Sequence, residues 1–141
     1  MIVLVQATVL TVGLNGRNEV LRELPIRLIA MQSGLEAARS LKNEKVNSVI
    51  SRWDLDDMPN GRFLKSLKMA KPHIPTIAFV RAGSINQEIA ARSLGVSAVL
   101  AEDVTDDAFR ETVANLLGLR GALEIKAISS AENIEELTRE R

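Results

Sequence analysis

The segment Thr76-Ile-Ala-Phe-Val80 decides the fold class. It does not alternate between polar and apolar residues, which is typical of a parallel strand covered by helices on both faces. The segment Thr8-Val-Leu-Thr-Val12 is similarly rich in β-branched residues and is predicted to be a first strand of the same kind. Pro72 and Pro75 bracket the turn ahead of the later strand. These two segments predict a sheet buried between two layers of helices.

Three more strands are predicted at residues 26–30, 46–51 and 97–100. Helical patterns follow the five strands in turn, at residues 18–24, 33–41, 61–67, 85–94 and 105–117. Strict alternation with short connections favours a parallel sheet, because right-handed crossovers place a helix between parallel neighbours. The predicted fold is therefore α/β, a flavodoxin-like (βα)5 doubly wound sheet with strand order 2-1-3-4-5.

The domain organisation follows from length and glycine placement. The chain of 141 residues has room for one such domain, which we expect to span residues 1–121. Gly118 and Gly121 end the last core helix, and residues 122–141 form a predicted C-terminal extension, either a helix or a linker. The apolar start, residues 1–12, has no basic leader and is too short to span a bilayer, so we expect a buried strand there.

The bulk composition excludes several classes of function. Lys and Arg number 18 and are balanced by 18 Asp and Glu, so no long-range field would gather nucleic acid or an anionic membrane, and neither partner is expected. The chain has no cysteine, which excludes thiolate metal sites and cysteine nucleophiles and fits a cytoplasmic location. Partners must then be selected by local patches of surface.

Any ligand site is expected at the carboxyl ends of the strands, beside the switch in strand order. The segments that end there are short and can be read directly from the sequence. They are Gly13-Leu14-Asn15, Arg52-Trp53-Asp54, Arg81-Ala82 and Ala101-Glu102-Asp103.

Several segments between residues 8 and 118 resemble the phosphoacceptor receiver domains of response regulators. Residues 49–55 with 58–61 are similar to the receiver strand that ends in the phosphoacceptor aspartate and is followed by a proline and glycine turn. Residues 74–80 look like the strand that ends in the switch Thr or Ser. Residues 94–100 resemble the Leu-Gly-Ala ending and the fifth strand of that family.

The resemblance implies a pocket whose chemistry has been lost. Receivers hold Mg²⁺ with an acidic pair after strand one and with the acceptor aspartate after strand three. Here the acidic pair aligns with Gly13 and Leu14, and the acceptor aligns with Arg52, a permanent cation that can neither attack phosphorus nor bind Mg²⁺. The switch residue aligns with Arg81 and the family lysine with Glu102. No metal and no cofactor is therefore expected.

The charges around this degenerate pocket are exchanged relative to the family. Arg52 and Glu102 would face each other with reversed signs, and we expect an ion pair that closes the site. The aromatic switch on strand five aligns with Val99, which has no ring. The domain would then neither accept a phosphoryl group nor transmit its presence through an aromatic switch.

Alternatives remain open for several of these residues. The spacing from Arg52 to Gly61 needs a one-residue insertion, so Asp54 is a rival phosphoacceptor in a divergent active receiver. Arg52 and Arg81 could hold an anion or small ligand, although pairing of these arginines with Glu102 or Asp103 is the simpler prediction. The acidic loop, residues 54–60, is interpreted as turn-forming rather than metal-binding. Trp53 is either an exposed recognition anchor or a cover for the pocket.

The functional prediction is a non-enzymatic pseudo-receiver in bacterial two-component or phosphorelay signalling. By resemblance, it would bind a protein partner or a second copy of itself through the face built from the fourth helix, the fifth strand and the fifth helix. The candidate contact residues on that face are Ile89, Arg92, Ser93, Val99, Phe109 and Arg110.

Overall fold

The computed structural model describes residues 6–119, and the predicted extension at residues 122–141, with its boundary, lies outside them. Strands alternate with helices throughout this part of the chain. The elements are β1 (Ala7–Val12), a 3-10 helix (Arg17–Glu23), β2 (Ile26–Met31), α1 (Gly34–Asn43), β3 (Ser48–Arg52), α2 (Arg62–Ala70), β4 (Thr76–Val80), α3 (Ile85–Leu94), β5 (Ala98–Ala101) and α4 (Asp106–Leu116).

The five strands form one sheet in the order β2-β1-β3-β4-β5. Every neighbouring pair is parallel, with Leu10 opposite Val49 across β1 and β3 and Ile50 opposite Ile77 across β3 and β4. The predicted fold class and strand order are confirmed. The order reverses between β1 and β3, so their carboxyl ends flank the crevice where such folds place a site.

Successive residues of the central strands point to opposite faces, and both faces are covered. Leu10 and Val49 pack into the core layer beneath α1, α2 and α3. Val9 and Ile50 pack into the layer beneath the 3-10 helix and α4, which contributes the fully buried Phe109. Two covered faces explain the apolar runs without alternation, and each buried side chain of this size contributes about 1.5–3 kcal/mol.

Side-chain caps fix the starts of three helices. The hydroxyl oxygens of Ser33, Ser84 and Thr105 accept hydrogen bonds from backbone N–H groups three residues later, at 3.1, 3.3 and 3.2 Å. Gly95 ends α3 in the left-handed conformation, with φ at 89°. Ser and Thr are favoured at helix N-caps, and Gly is favoured in the left-handed conformation at a helix end.

The first helix is shorter and tighter than an ordinary α-helix. Its seven residues lie between Gly16, which has φ at 91°, and Pro25. Its buried positions, Asn18, Leu21 and then Leu24, recur every three residues, the period of a 3-10 helix. The sequence predicts a helix here, and the three-residue period accounts for its type.

Candidate functional site

A pocket of about 250 Å³ opens at the carboxyl ends of the central strands. It lies where the sequence places the degenerate phosphorylation site. Its lining residues are Leu14, Asn15, Arg17, Arg52, Phe79 and Glu102.

An ion pair between Arg52 and Glu102 spans this pocket. Arg52 is the last residue of β3, and Glu102 follows β5, held there by its backbone N–H bond to the carbonyl of Val80 at 2.8 Å. The Nε of Arg52 lies 3.0 Å from Oε2 of Glu102, and their side chains are 31% and 36% exposed. The expected pair is present. At this exposure it contributes about 0–1 kcal/mol to stability, so its importance is the charge it places in the pocket.

The end of β1 brings no carboxylate into the pocket. Gly13 has φ at 70°, and a Cβ there would lie 2.7 Å from Cδ2 of Leu55 and 3.6 Å from Cδ of Arg52. Any side chain at this position would therefore displace Leu55. Leu14 is buried and joins the core layer under α4, and the exposed Asn15 is the polar side chain that the loop after β1 contributes to the pocket lining.

Arg17 is a pocket residue that sequence reasoning missed. Its guanidinium donates to the carbonyl oxygens of Glu102 at 2.8 Å and of Val104 at 2.6 Å. The same group lies 5.8 and 5.7 Å from the ring centroids of Phe79 and Phe109. Arg17 thus connects the 3-10 helix to the segment between β5 and α4, and it adds a second guanidinium to the pocket wall.

Asp54 lies beside the start of α3 instead of in the pocket. One carboxylate oxygen accepts the backbone N–H of Asn60, and the other accepts Nε2 of Gln87 at 2.8 Å. Nη2 of Arg81 lies 3.7 Å from the second carboxylate oxygen of Asp54. The backbone N–H of Arg81 donates a hydrogen bond to Oε1 of Gln87 at 2.8 Å. Gln87, which sequence reasoning also missed, therefore joins Asp54 to the turn after β4.

The predicted partners of Arg81 are wrong. Its contact is Asp54, not Glu102 or Asp103, because the turn after β4 directs the side chain toward the loop that follows β3. Arg81 is not among the residues that line the pocket. The anion site hypothesised at Arg52 and Arg81 therefore lacks one of its two arginines.

Asp57, in the same acidic loop, binds the start of a helix. The carboxylate oxygens of Asp57 accept the backbone N–H groups of Gly34 at 2.9 Å and Leu35 at 3.0 Å, at the start of α1. These two hydrogen bonds lower the pKa of Asp57. Across residues 6–119, no three acidic or histidine side chains cluster in a way that could hold a metal ion.

Trp53 is part of the core. Its side chain is 4% exposed and packs beneath Gly61, where any Cβ would overlap the indole ring. Lys65 covers the ring from outside, with Nζ 5.8 Å from its centroid. Of the two interpretations left open, the exposed recognition anchor is wrong.

The predicted interaction face is only partly available. Ile89 is 57% exposed, Arg92 and Ser93 are also exposed, and Val99 is half-buried against the core layer beneath α3. Ile85, one turn before Ile89, is 72% exposed and extends this apolar ridge.

The two residues predicted on α4 do not belong to that face. Phe109 is completely buried and packs edge to face on Phe79, with centroids 4.9 Å apart, so its assignment to a contact surface is wrong. Arg110 donates to the carbonyl of Val20 and pairs with Glu23 at 3.2 Å. These contacts turn it toward the 3-10 helix and away from α3.

No helix within the described residues has the length and apolar character needed to cross a bilayer. No protein-family model matches the sequence.

Two curated relatives share sequence with the chain. The transcriptional regulatory proteins GlrR of Escherichia coli K12 and QseF of Escherichia coli O157:H7 are each 31% identical to it over 90 residues. The matched segment is 64% of this chain but 20% of each relative, so the chain matches about a fifth of their length.

The fold is shared with solved receiver domains. A signal receiver domain from Vibrio parahaemolyticus superposes with a TM-score of 0.73 at 19% identity, over 87% of this chain and 98% of that one. A response regulator receiver domain from Clostridium thermocellum gives 0.71 at 18% identity, over 83% and 98%. The receiver domain of the sensor histidine kinase PA1611 from Pseudomonas aeruginosa, solved with magnesium coordinated in its active-site cleft, gives 0.68 at 16% identity, over 81% and 99%.

The chain therefore has the fold that these solved receiver domains share.

Proposed function

We propose that this chain is a pseudo-receiver, a cytoplasmic, non-enzymatic domain that binds a protein partner in bacterial signal transduction without being phosphorylated. The observation that carries the proposal is the ion pair of Arg52 and Glu102 in the pocket at the strand ends. The family resemblance aligns Arg52 with the phosphoacceptor.

Electrostatics favour the loss of phosphorylation. A guanidinium stays protonated at every physiological pH, so Arg52 repels a divalent cation and offers it no lone pair. Gly13 supplies no carboxylate from the end of β1, and a side chain there would have to displace Leu55. The receiver from Pseudomonas aeruginosa holds magnesium in its cleft. Mg²⁺ prefers oxygen ligands in near-octahedral geometry. This pocket provides one carboxylate, that of Glu102, which is already paired with Arg52.

Asp54 provides a chemical test of the proposal. Both of its oxygens already accept hydrogen bonds, so phosphorylation there would break the contacts with Asn60 and Gln87. We expect no covalent label after incubation with acetyl phosphate and Mg²⁺, measured by intact mass. Label that disappears in Asp54→Asn but persists in Asp56→Asn, a matched change at an exposed neighbour, would establish an active receiver instead.

The partner-binding face of the proposal is the ridge on α3 formed by Ile85, Ile89, Arg92 and Ser93. Two isoleucines one turn apart, both exposed when residues 6–119 are considered, form an apolar patch. If the ridge joins two copies, sedimentation of the chain should show a dimer that Ile89→Ser weakens and Met69→Ser, on exposed α2 surface, leaves intact. Binding to a partner protein would show the same pattern.

Association through this ridge should not respond to beryllofluoride with Mg²⁺, which mimics a phosphorylated aspartate. A change in affinity on adding this mimic would contradict phosphorylation independence while leaving the ridge as an interface.

Anion sensing is a second candidate, and it is favoured by the two guanidiniums, Arg17 and Arg52, that line the same pocket. A ligand that binds only the folded state raises the melting temperature by mass action. Thermal shifts with a panel of phosphorylated metabolites test this function, with Arg52→Gln as the variant that should lose the response. A shift retained in Arg52→Gln would place the ligand elsewhere.

A further inference from the structure

We propose that an apolar groove between α1 and α2 is a second docking site, which receives an amphipathic helix of another protein with a carboxylate near one end. The groove lies apart from both the pocket and the α3 ridge. Its walls are built chiefly by Ala38, Leu41, Met58, Phe63, Leu67 and Ala70.

The size of the groove suits side chains rather than a whole metabolite. Its volume is about 200 Å³. An apolar cavity of about 150 Å³ is large enough to hold benzene, so the groove has room for one or two large aliphatic side chains. Removing such side chains from water is favourable and suits a specific but modest interaction.

The apolar surface continues along α1 beyond the groove. Leu35, Ala38 and Lys42 lie at positions i, i+3 and i+7, so they share one face of the helix. Leu35 is 52% exposed. A partner helix laid along this line would cover Leu35 and place its own apolar residues, spaced at i and i+4, into the groove.

The positive charges beside the groove indicate which kind of partner helix it would bind. Lys42 lies in the last turn of α1, and Lys71 directly follows α2, where its Nζ donates to the carbonyl of Leu41 at 3.3 Å. An ammonium has three donors, so Lys71 keeps capacity for a carboxylate. Residues 62–71 contain four basic residues and no acidic one, in a chain whose net charge is zero. The groove therefore favours a helix with Glu or Asp at the end that meets these two lysines.

Selection of helical peptides tests this site. A displayed library of amphipathic helices is selected against the full chain, and the enriched peptides are titrated by fluorescence anisotropy. We expect enriched sequences with apolar residues at i and i+4 and an acidic residue near one end. Ser66→Glu, on the groove wall, should weaken binding by about tenfold or more, since it places a charge against apolar carbon. Lys42→Glu should weaken it by about threefold to tenfold.

Two matched variants control for general effects of charge. Met69→Glu changes an 87% exposed residue of α2 outside the groove, and Lys45→Glu reverses an exposed charge beyond the end of α1. Both should bind the peptides like the unaltered chain, and all four variants should melt as cooperatively as it does, because each altered residue is exposed.

Three results would overturn the inference. The library could yield no specific peptide, or peptides whose binding Ser66→Glu does not weaken. The chain alone could self-associate in a way that Ser66→Glu abolishes, which would make a second copy the occupant. None of these readings depends on phosphorylation, so the groove and the proposed pseudo-receiver function fail or succeed separately.

Discussion

Nε of Arg52 lies 3.0 Å from Oε2 of Glu102, and this contact joins the end of β3 to the residue that follows β5. The family resemblance aligns these two positions with an aspartate and a lysine. On that alignment the pair would be a cross-pocket contact with its charges exchanged, and we expect such a pocket to gather cations poorly.

Exchanging these two charges should preserve the pocket. We expect Glu102→Arg alone to destabilise the chain by about 1–2 kcal/mol, because it places two guanidiniums side by side at partly exposed positions. Adding Arg52→Glu to it should recover most of that loss, as measured by urea denaturation. A double variant no more stable than Glu102→Arg would show that the pair makes no energetic contact.

Gly61→Ala should be among the most damaging single substitutions in the chain. Gly61 has φ at 73°, and a Cβ there would overlap the buried ring of Trp53. We expect a loss of about 2–5 kcal/mol from strain and overpacking together. Gly83→Ala is the control, since Gly83 has φ at 80° but no atom within 4 Å of the added Cβ. Its cost should be about 1–2 kcal/mol; equal costs at the two positions would contradict the overlap with Trp53.

Asp57→Ala should lower stability in a way that depends on pH. The hydrogen bonds from Gly34 and Leu35 lower the pKa of Asp57 below its ordinary value of 3.8, so the folded state binds its proton less readily than the unfolded state. The stabilisation is then fully present above pH 3.8 and is lost as the pH falls through the lower pKa of the folded state.

Because Asp57 is exposed and screened, we expect the loss in Asp57→Ala to be only about 0.5–1 kcal/mol at neutral pH. Denaturation curves of the two chains should converge at pH values below the lowered folded-state pKa of Asp57, where the aspartate is protonated in both states. Asp56→Ala, at an exposed neighbour, should show no such convergence. A difference between Asp57→Ala and the unaltered chain that stays constant with pH would mean that the carboxylate charge plays no part.

Arg17→Lys should destabilise the chain even though it keeps the charge. Arg17 contacts two carbonyl oxygens and the carboxylate of Asp106 at 3.0 Å through one planar group, and an ammonium cannot reproduce that fork. We expect a loss of about 1–2 kcal/mol by thermal denaturation. Arg22→Lys, on the exposed side of the same 3-10 helix, should cause no measurable change. Equal stability of the two variants would contradict the bridging role of Arg17.

The buried frame of the fold could be predicted because its signals are local. The apolar runs of β1 and β4 have no alternation, and Ser33, Thr105 and Gly95 have side chains or backbone freedom suited to helix ends. The pairing of Arg52 with Glu102 could also be predicted, since both follow strands whose carboxyl ends meet at one edge of a parallel sheet.

Other features depend on packing that no local pattern specifies. Phe109 and Arg110 are neighbours on α4, and which of them faces the core depends on how the helix rotates against the sheet. Arg17 was missed because its main acceptors are backbone carbonyls, which no residue type marks. Arg81 was assigned the wrong partners because the turn after β4 sets its direction.

Divalent-cation binding at the pocket tests the central claim most directly. Mn²⁺, a paramagnetic substitute for Mg²⁺, is titrated into the ¹⁵N-labelled chain while the amide signals of Gly13, Leu14, Arg52 and Glu102 are followed by NMR. With Arg52 paired to Glu102 and no carboxylate at the end of β1, we expect no saturable broadening confined to these amides. Selective, saturable broadening there that excess Mg²⁺ reverses would contradict the proposed loss of the metal site.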